Sequence, residues 1–300
     1  MAQYCFSVMG LPRLEVVAGG ARETVTLPPS ATALLCAIAV HGPAPVGRAA
    51  LQDMLWPDAT SERARSCLGS ALHRLRAALG DAIQIEDSHG AVGVAASSEL
   101  TVDIVTLRCR ADVLRGRDVT AWERTEVAAL EAAVQSRRGA FFENVEGEWV
   151  QLARSDCADL YRYALECLLL FHRYRGELNN SIEAAKGLVR DDPYREDAHG
   201  SLISLYAEAG QRGRALAQYE ACRQVLQSDL GLRPGPHVMA SLQAVASPTP
   251  AVNAATDIGD LVESIERSMA DLHRKVEVLR AAVSGEVQAH AAAPKARTNP

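Results

Sequence analysis

The feature that most restricts the fold is a spacing of 34 residues in the second half of the chain. Small residues, large apolar residues and a glycine recur there in the same order. The matched pairs are Ala164 and Ala198, Leu168 and Leu202, Phe171 and Leu205, and Gly176 and Gly210. Small residues let paired helices approach, and a glycine closes the turn between two helices. The spacing therefore predicts stacked helical hairpins, whose groove is suited to binding partners.

A second pattern, in residues 56–81, predicts an amphipathic helix. Six apolar side chains fall within a stripe about 100° wide at the period of an α-helix. They are Ala64, Leu68, Ala71, Leu72, Leu75 and Leu79. Pro57 and Asp58 end the preceding apolar segment, and Thr60 or Ser61 is predicted to cap the new helix.

The opposite face of this helix is small and polar. It carries Glu62, Ser66, Ser70, His73 and Ala77, bordered by Arg63 and Arg74 on one side and by Arg65 and Arg76 on the other. Short side chains allow a helix to lie deep in a major groove, and the arginines are spaced to meet phosphates. The face is typical of a DNA recognition helix, but also of a solvated amphipathic helix.

Short elements are predicted on both sides of this helix. Residues 4–27 are expected to form two or three strands, Ser30 to cap a helix over residues 31–41, and residues 46–55 to form a second helix. After the amphipathic helix, a turn that contains Gly90 predicts a hairpin. Strands, three helices and a hairpin are the order of a winged helix-turn-helix, in which the hairpin is the wing.

Charge restricts where nucleic acid could bind. The chain of 300 residues is 48% apolar and carries a formal net charge of −6, and residues 1–100 contain seven arginines against nine acidic residues. No region is basic, so any contact with phosphates must come from a local patch. Abundant alanine and leucine with few aromatic residues predict a mainly helical chain with enough apolar residues for two compact domains.

Sites for enzymatic chemistry are not apparent in the sequence. The seven cysteines include no CxxC pair, phosphate-binding glycine loops are absent, and His172 and His199 have no nucleophile at a matching spacing. We therefore expect no catalytic residues, no metal and no cofactor. The longest apolar run, residues 31–40, is too short to cross a bilayer, and the N-terminus lacks an export signal, so a cytoplasmic protein without membrane contact is expected.

Four segments of the first 100 residues resemble the winged-helix domain of the antibiotic regulatory protein family of actinobacterial activators. They read LEVVAGG, LLCAIAVHG, LQDMLWPDA and ARSCLGSALHRLRAALGD. The resemblance implies a DNA-binding domain over residues 1–100, with residues 64–79 as its recognition helix. The residues expected to contact DNA are Arg63, Ser66, Ser70, His73, Arg74, Arg76 and His89.

The next part of the chain resembles the bacterial transcriptional activation domain, which is similar to tetratricopeptide repeats. The resemblance lies in SRRGAFFENVEGEWVQLAR and in the run from DPYREDAHG to SDLGLRP within residues 192–234. It implies an all-helical domain over residues 101–245, reached through a short junction at residues 100–107. Family members are activators, so the resemblance also implies promoter DNA and RNA polymerase as partners.

The C-terminal part is predicted to self-associate. Residues 246–257 have the composition of a linker, and apolar residues from Ile258 to Val283 then alternate at spacings of four and three. This heptad pattern over residues 258–284 predicts a coiled-coil-like helix and a homodimer, and the alternative is a helix folded back on the repeats. Residues 285–300 are predicted to be a disordered tail.

The sequence therefore predicts a mainly α protein, with an N-terminal α+β winged helix-turn-helix, an all-α tetratricopeptide-like domain and a C-terminal coiled-coil-like helix. Its predicted function is that of a DNA-binding transcriptional regulator. The alternative is a protein-interaction adaptor whose winged helix no longer binds DNA, which the acidic balance of residues 1–100 favours.

Overall fold

A computed structural model describes residues 3–42, 44–80, 83–95 and 99–246. The segments predicted to be a linker, a heptad helix and a tail lie outside the described residues from residue 247 onward.

A small sheet opens the chain. Strands β1 (Gln3–Ser7), β2 (Arg13–Ala18) and β3 (Ala21–Val25) form antiparallel neighbours, as the sequence predicted. A later strand, β7 (Leu100–Val102), runs parallel to β1, with Tyr4 opposite Leu100. The sheet order β3-β2-β1-β7 therefore returns the chain to its first strand before the helical half begins.

Three helices, a two-residue strand and a hairpin follow the first three strands. They are α1 (Pro29–His41), β4 (Val46–Gly47), α2 (Arg48–Leu55), α3 (Ser61–Leu79), β5 (Ile85–Ser88) and β6 (Ala91–Val94). The second sheet has the order β4-β6-β5, so the hairpin is held by a strand that precedes α2. This is the predicted winged helix-turn-helix order.

Two predicted helix starts are wrong by a few residues. Ser30 lies inside α1 and does not cap it, because Pro28 precedes the helix with its φ at −61° and its carbonyl accepts the N–H groups of Ala31 and Thr32 at 2.9 Å each. The segment predicted as a helix from Val46 begins instead as β4, since Val46 pairs with Val92 of the hairpin.

The second half of the described chain is helical. Its elements are α4 (Asp103–Leu114), a 3-10 turn (Val119–Ala121), α5 (Arg124–Gln135), α6 (Glu148–Tyr174), α7 (Leu178–Asp191), α8 (Glu196–Glu208), α9 (Arg212–Leu230) and α10 (Pro236–Ala246). Trp122 is buried and lies between the 3-10 turn and α5. The mainly helical fold with a small N-terminal sheet region agrees with the sequence-based fold class.

The 34-residue repeat is visible in the turns between paired helices. Gly176 follows α6 with φ at 70°, and Gly210 follows α8 with φ at 71°. Gly176 donates to the carbonyl of Arg173 at 3.0 Å, and Gly210 to that of Ala207 at 2.9 Å. Because φ is positive at both positions, glycine is the residue that closes these turns without strain. The predicted helical hairpins are confirmed.

The two halves are joined through the backbone of residues 8–10. The Asp103 carboxylate, at the start of α4, accepts the N–H of Val8 at 2.9 Å and that of Met9 at 3.0 Å. The carbonyl groups of the same segment accept N–H groups from the loop between α5 and α6, and all three distances lie between 2.8 and 3.1 Å. The three bonds are Arg138 to Met9, Phe142 to Val8 and Glu143 to Gly10. A continuous hydrophobic core runs through this junction.

The Asp103 carboxylate is partly buried at this junction. Burial raises the pKa of the carboxyl, and the N–H donors of Met9, Val8 and Ile104 oppose that shift. None of the helices among the described residues is both long enough and apolar enough to cross a bilayer.

We predict that Asp103→Ala lowers the free energy of unfolding by about 2–4 kcal/mol, because it leaves the buried N–H groups of Val8 and Met9 without an acceptor. The control is Asp112→Ala on the same helix, which removes an exposed pair with Arg115 at 3.1 Å and should change that energy by at most about 1 kcal/mol. Urea unfolding of both variants measures the difference. Equal losses would contradict the role assigned to Asp103.

Candidate nucleic-acid interface

Helix α3 buries one stripe of its surface and exposes the other. Ala64, Leu68, Ala71, Leu72, Leu75 and Leu79 are each at most 4% exposed, as the spacing predicted. The helix begins after Thr60, whose hydroxyl accepts the N–H of Arg63 at 3.4 Å, so Thr60 is the cap of the two residues proposed. Burial of the stripe against α1 and α2 fixes the rotation of the helix and hence which face meets solvent.

The solvent face of α3 carries short side chains along its whole length. Ser66, Ser70 and His73 are exposed, and Gly69 lies between the two serines with open space where a Cβ would be. A helix with such a face can approach other molecules closely with its backbone. This is the shape that a major groove admits.

Arginines border this face and differ in how they are held. Within the part of the chain that the structure describes, Arg63 and Arg65 form no ion pair. Arg74 donates to the hydroxyl of Ser30, 3.4 Å away at the start of α1. Arg76 points to the hairpin, where its Nη2 lies 3.3 Å from the carbonyl oxygen of Ile85.

The net charge of α3 is opposite in sign to that of the chain. Its 19 residues hold four arginines and one acidic residue, Glu62, which gives a net charge of +3 against −6 for all 300 residues. Glu62 lies in the first turn, where the helix dipole favours a carboxylate. The positive charge is therefore concentrated on the borders of the short-chain face.

The β5–β6 hairpin ends in a tight turn at His89 and Gly90. Both residues have positive φ, 54° and 78°, as a type I′ turn between two antiparallel strands requires. His89 is exposed at the tip of this hairpin. The structure thus leaves all seven residues predicted to contact DNA exposed: Arg63, Ser66, Ser70, His73, Arg74, Arg76 and His89.

Sequence reasoning missed an ion cluster at the base of this face. Asp87 of β5 accepts from Arg48 Nη1 at 2.6 and 2.7 Å with its two oxygens, and Arg76 Nη2 lies 3.5 Å away. The hydrogen bond from Arg48 is the largest cause of the lowered pKa of Asp87. Arg48 and Asp87 are 39 residues apart, so no local pattern pairs them.

The other polar groups singled out from the sequence are held by their neighbours. His172 is buried between the carboxylates of Glu131 and Glu177, at 2.8 and 2.7 Å. His199 is buried between the carbonyl of Pro193 and the amide of Gln218. Among the described residues, no three His, Cys, Asp or Glu side chains converge as a metal site.

The seven cysteines are all free, and four of them are buried. Burial raises the pKa of the Cys157 and Cys167 thiols to about 12 and that of Cys222 to about 11. Thiols of this kind stay protonated at neutral pH and are poor nucleophiles. The buried cysteines therefore behave as small apolar side chains.

Residues 102–246 match the family of the bacterial transcriptional activator domain. This half of the chain is therefore similar to a bacterial transcriptional activator domain, and it is called the activator domain below. The matched range begins within β7 and ends with α10, so the activator domain comprises the whole helical half described above.

Two curated regulators are similar to the chain beyond the activator domain. The chain is 23% identical over 233 residues to the regulatory protein AfsR of Streptomyces coelicolor, covering 75% of this chain but 22% of AfsR. It is 26% identical over 273 residues to the transcriptional regulatory protein EmbR of Mycobacterium tuberculosis, covering 86% of this chain and 69% of EmbR. The chain thus spans about a fifth of the length of AfsR.

A solved structure shares the fold. The chain of Mycobacterium tuberculosis EmbR in complex with a low affinity phosphopeptide superposes with a TM-score of 0.65 at 19% identity, covering 89% of this chain and 71% of that one. Together with the activator domain and the two regulators, this confirms the resemblance to regulators of the antibiotic regulatory protein type.

Proposed function

We propose that this chain is a DNA-binding transcriptional regulator that acts as an activator. The solvent face of α3 binds promoter DNA in the major groove. The observation that carries the proposal is the geometry of that face. It is short and polar along its length, it is bordered by arginines, and it carries a net charge of +3 on an acidic chain. A solvated helix needs no such separation of short and basic side chains.

Each exposed side chain then has a role. Ser66, Ser70 and His73 face the base edges in the major groove, where hydroxyl and imidazole groups both donate and accept hydrogen bonds. Arg63 and Arg74 lie on one border and meet the phosphates of one strand. The hairpin serves as the wing, with Arg76 at its base and His89 at its tip beside a neighbouring phosphate.

The activator domain supplies the contacts with proteins. Stacked helical hairpins bind partners along their surface and carry no chemistry of their own. The similarity to transcriptional regulators supports RNA polymerase as a partner of the bound complex. The turn at residues 56–60, which ends α2 and caps α3, adds a second surface for polymerase next to the DNA.

The second candidate function is an adaptor that no longer binds DNA. The acidic balance of residues 1–100, nine acidic residues against seven arginines, favours it. Asp87 weakens this argument, because its charge is already held by Arg48 and Arg76. The two candidates differ in whether the wild-type chain binds duplex DNA, and a charge reversal on α3 then tests whether this helix makes the contact.

We predict that Arg74→Glu weakens binding to duplex DNA by at least roughly 1–3 kcal/mol, because it removes one phosphate contact and adds repulsion. Arg212→Glu is the matched control. It makes the same charge change at an exposed position on the activator domain, at the start of α9, and should leave affinity nearly unchanged. Fluorescence anisotropy with a duplex that the wild-type chain enriches from a random library measures both. Equal affinities of the two variants would mean that α3 is not the helix that contacts DNA, whereas a wild-type chain that enriches no duplex would favour the adaptor.

We also propose that residues 258–284 form the contact of a homodimer, on the strength of the heptad pattern in the sequence. Removing residues 258–300 is then expected to convert a dimer to a monomer. Apparent affinity for a two-site duplex should fall by on the order of 10²–10⁴, because the second contact is no longer intramolecular. Sedimentation at equal concentrations compares the two masses, and the same oligomeric state in both would favour a helix folded back on the repeats.

A further inference from the structure

The wing of the proposed DNA-binding domain has an acidic residue on each of its faces. Glu86 and Asp87 are neighbours on β5, and successive side chains of a strand point to opposite sides. Asp87 shares its face with the buried Ile85, and Glu86 lies on the other side; both are exposed as whole residues, but only Asp87 is paired with arginines. The two carboxylates therefore belong to adjacent residues and carry the same charge, but their surroundings differ.

Asp87 is the meeting point of three elements. Arg48, the first residue of α2, donates to both Asp87 oxygens, and Arg76 of α3 reaches the same carboxylate at 3.5 Å. Arg76 also donates to the carbonyl of Ile85, two residues earlier on the strand. The side chain of Asp87 is 21% exposed, so this cluster is partly shielded from water.

Backbone hydrogen bonds hold the wing on its other side, next to β4. Strand β4 pairs with β6, and the N–H of Arg48 donates to the carbonyl of Gly90 at 2.8 Å. These bonds hold the wing to the start of α2. At its polar edge the wing is linked to α3 by Arg76. This side chain pairs with the Asp87 carboxylate and donates to the Ile85 carbonyl.

Two guanidinium groups therefore depend on one carboxylate. Without the negative charge, Arg48 and Arg76 would repel each other across a short distance and turn to solvent. The wing would then keep its pairing with β4 and the burial of Ile85 and Val92 in the core, but it would lose the ionic link to α3, and its tip would no longer keep a fixed distance from that helix. Glu86 forms no ion pair with any described residue, so its removal has no such effect.

We propose that Asp87 is a positioning residue for DNA binding, which holds the wing at a fixed place beside α3 through Arg48 and Arg76. This inference rests on the proposed function of α3 and its wing. It gives Asp87 and Glu86 opposite effects on affinity, although both are negative charges on the wing. For a carboxylate that is only solvated, neutralisation strengthens attraction to phosphates. Neutralisation of Asp87 also displaces the wing, and the affinity lost in this way is larger than the affinity gained from weaker repulsion.

The test compares Asp87→Asn and Glu86→Gln in the full-length chain. The probe is a duplex that wild type enriches from a random-sequence library, and binding is measured by anisotropy over a series of salt concentrations. We expect Asp87→Asn to bind about five- to tenfold more weakly. The slope of log K against log salt should be shallower by about one, because one phosphate contact is lost. Glu86→Gln should bind as tightly as wild type or more tightly. Asp87→Glu, which keeps the charge, should restore most of the affinity and the slope.

Hydrogen exchange of the free protein provides a second measurement that needs no DNA. The amides of residues 85–94 should exchange faster in Asp87→Asn than in wild type or Glu86→Gln, while those of α6 stay unchanged. Unchanged exchange in the wing overturns the inference, as does Asp87→Asn binding as tightly as Glu86→Gln. If wild type enriches no duplex, the proposed function fails and the inference fails with it. If wild type binds and the two variants behave alike, the inference alone is wrong.

Discussion

The buried backbone of residues 8–10 is the constraint on which the arrangement of the two halves depends. Its polar groups lie in the core, and a buried N–H or carbonyl without a partner is costly. Asp103 accepts two of the N–H groups, and the loop before α6 supplies donors to the carbonyls. Since these partners come from residues 103 and 138–143, the segment satisfies its hydrogen bonds only when the sheet and the activator domain are packed together.

Helix α3 packs on the helices of its own domain. The apolar stripe of α3 packs on α1 and α2, and α4 packs on α1 and β1. On the short-chain face of α3, Ser66, Ser70 and His73 are exposed. An acidic chain can in this way present a basic surface, because local placement of charge decides what binds there and net charge does not.

Much of the fold could be predicted because its patterns are local. The stripe from Ala64 to Leu79 and the glycines at positions 176 and 210 each report a period that the backbone imposes. Strand β4 could not be predicted, since two residues carry no period and its pairing with Val92 depends on the hairpin. Ser30 was assigned as a cap because its side chain suits that position, but the prolines before it start the helix earlier.

For the candidate site, the sequence predicted which face of α3 is exposed but not which arginines are engaged. Arg65 and Arg76 lie on the same border in a helical projection, yet Arg76 is bonded to the wing while Arg65 forms no ion pair with a described residue. That difference arises from Asp87 and Ile85, which reach α3 only once the chain has folded. The pairing of Asp87 with Arg48, across 39 residues, is outside any local pattern for the same reason.

The central claim is that α3 meets DNA phosphates through its bordering arginines. The most direct measurement is the affinity of the full-length chain for a selected duplex as a function of salt concentration. Each neutralised phosphate contributes about −0.9 to the slope of log K against log salt, so contacts from Arg63, Arg65 and Arg74 predict a slope of about −2.7 or steeper. A slope near zero would contradict the account, because it would mean that no phosphate is neutralised on binding.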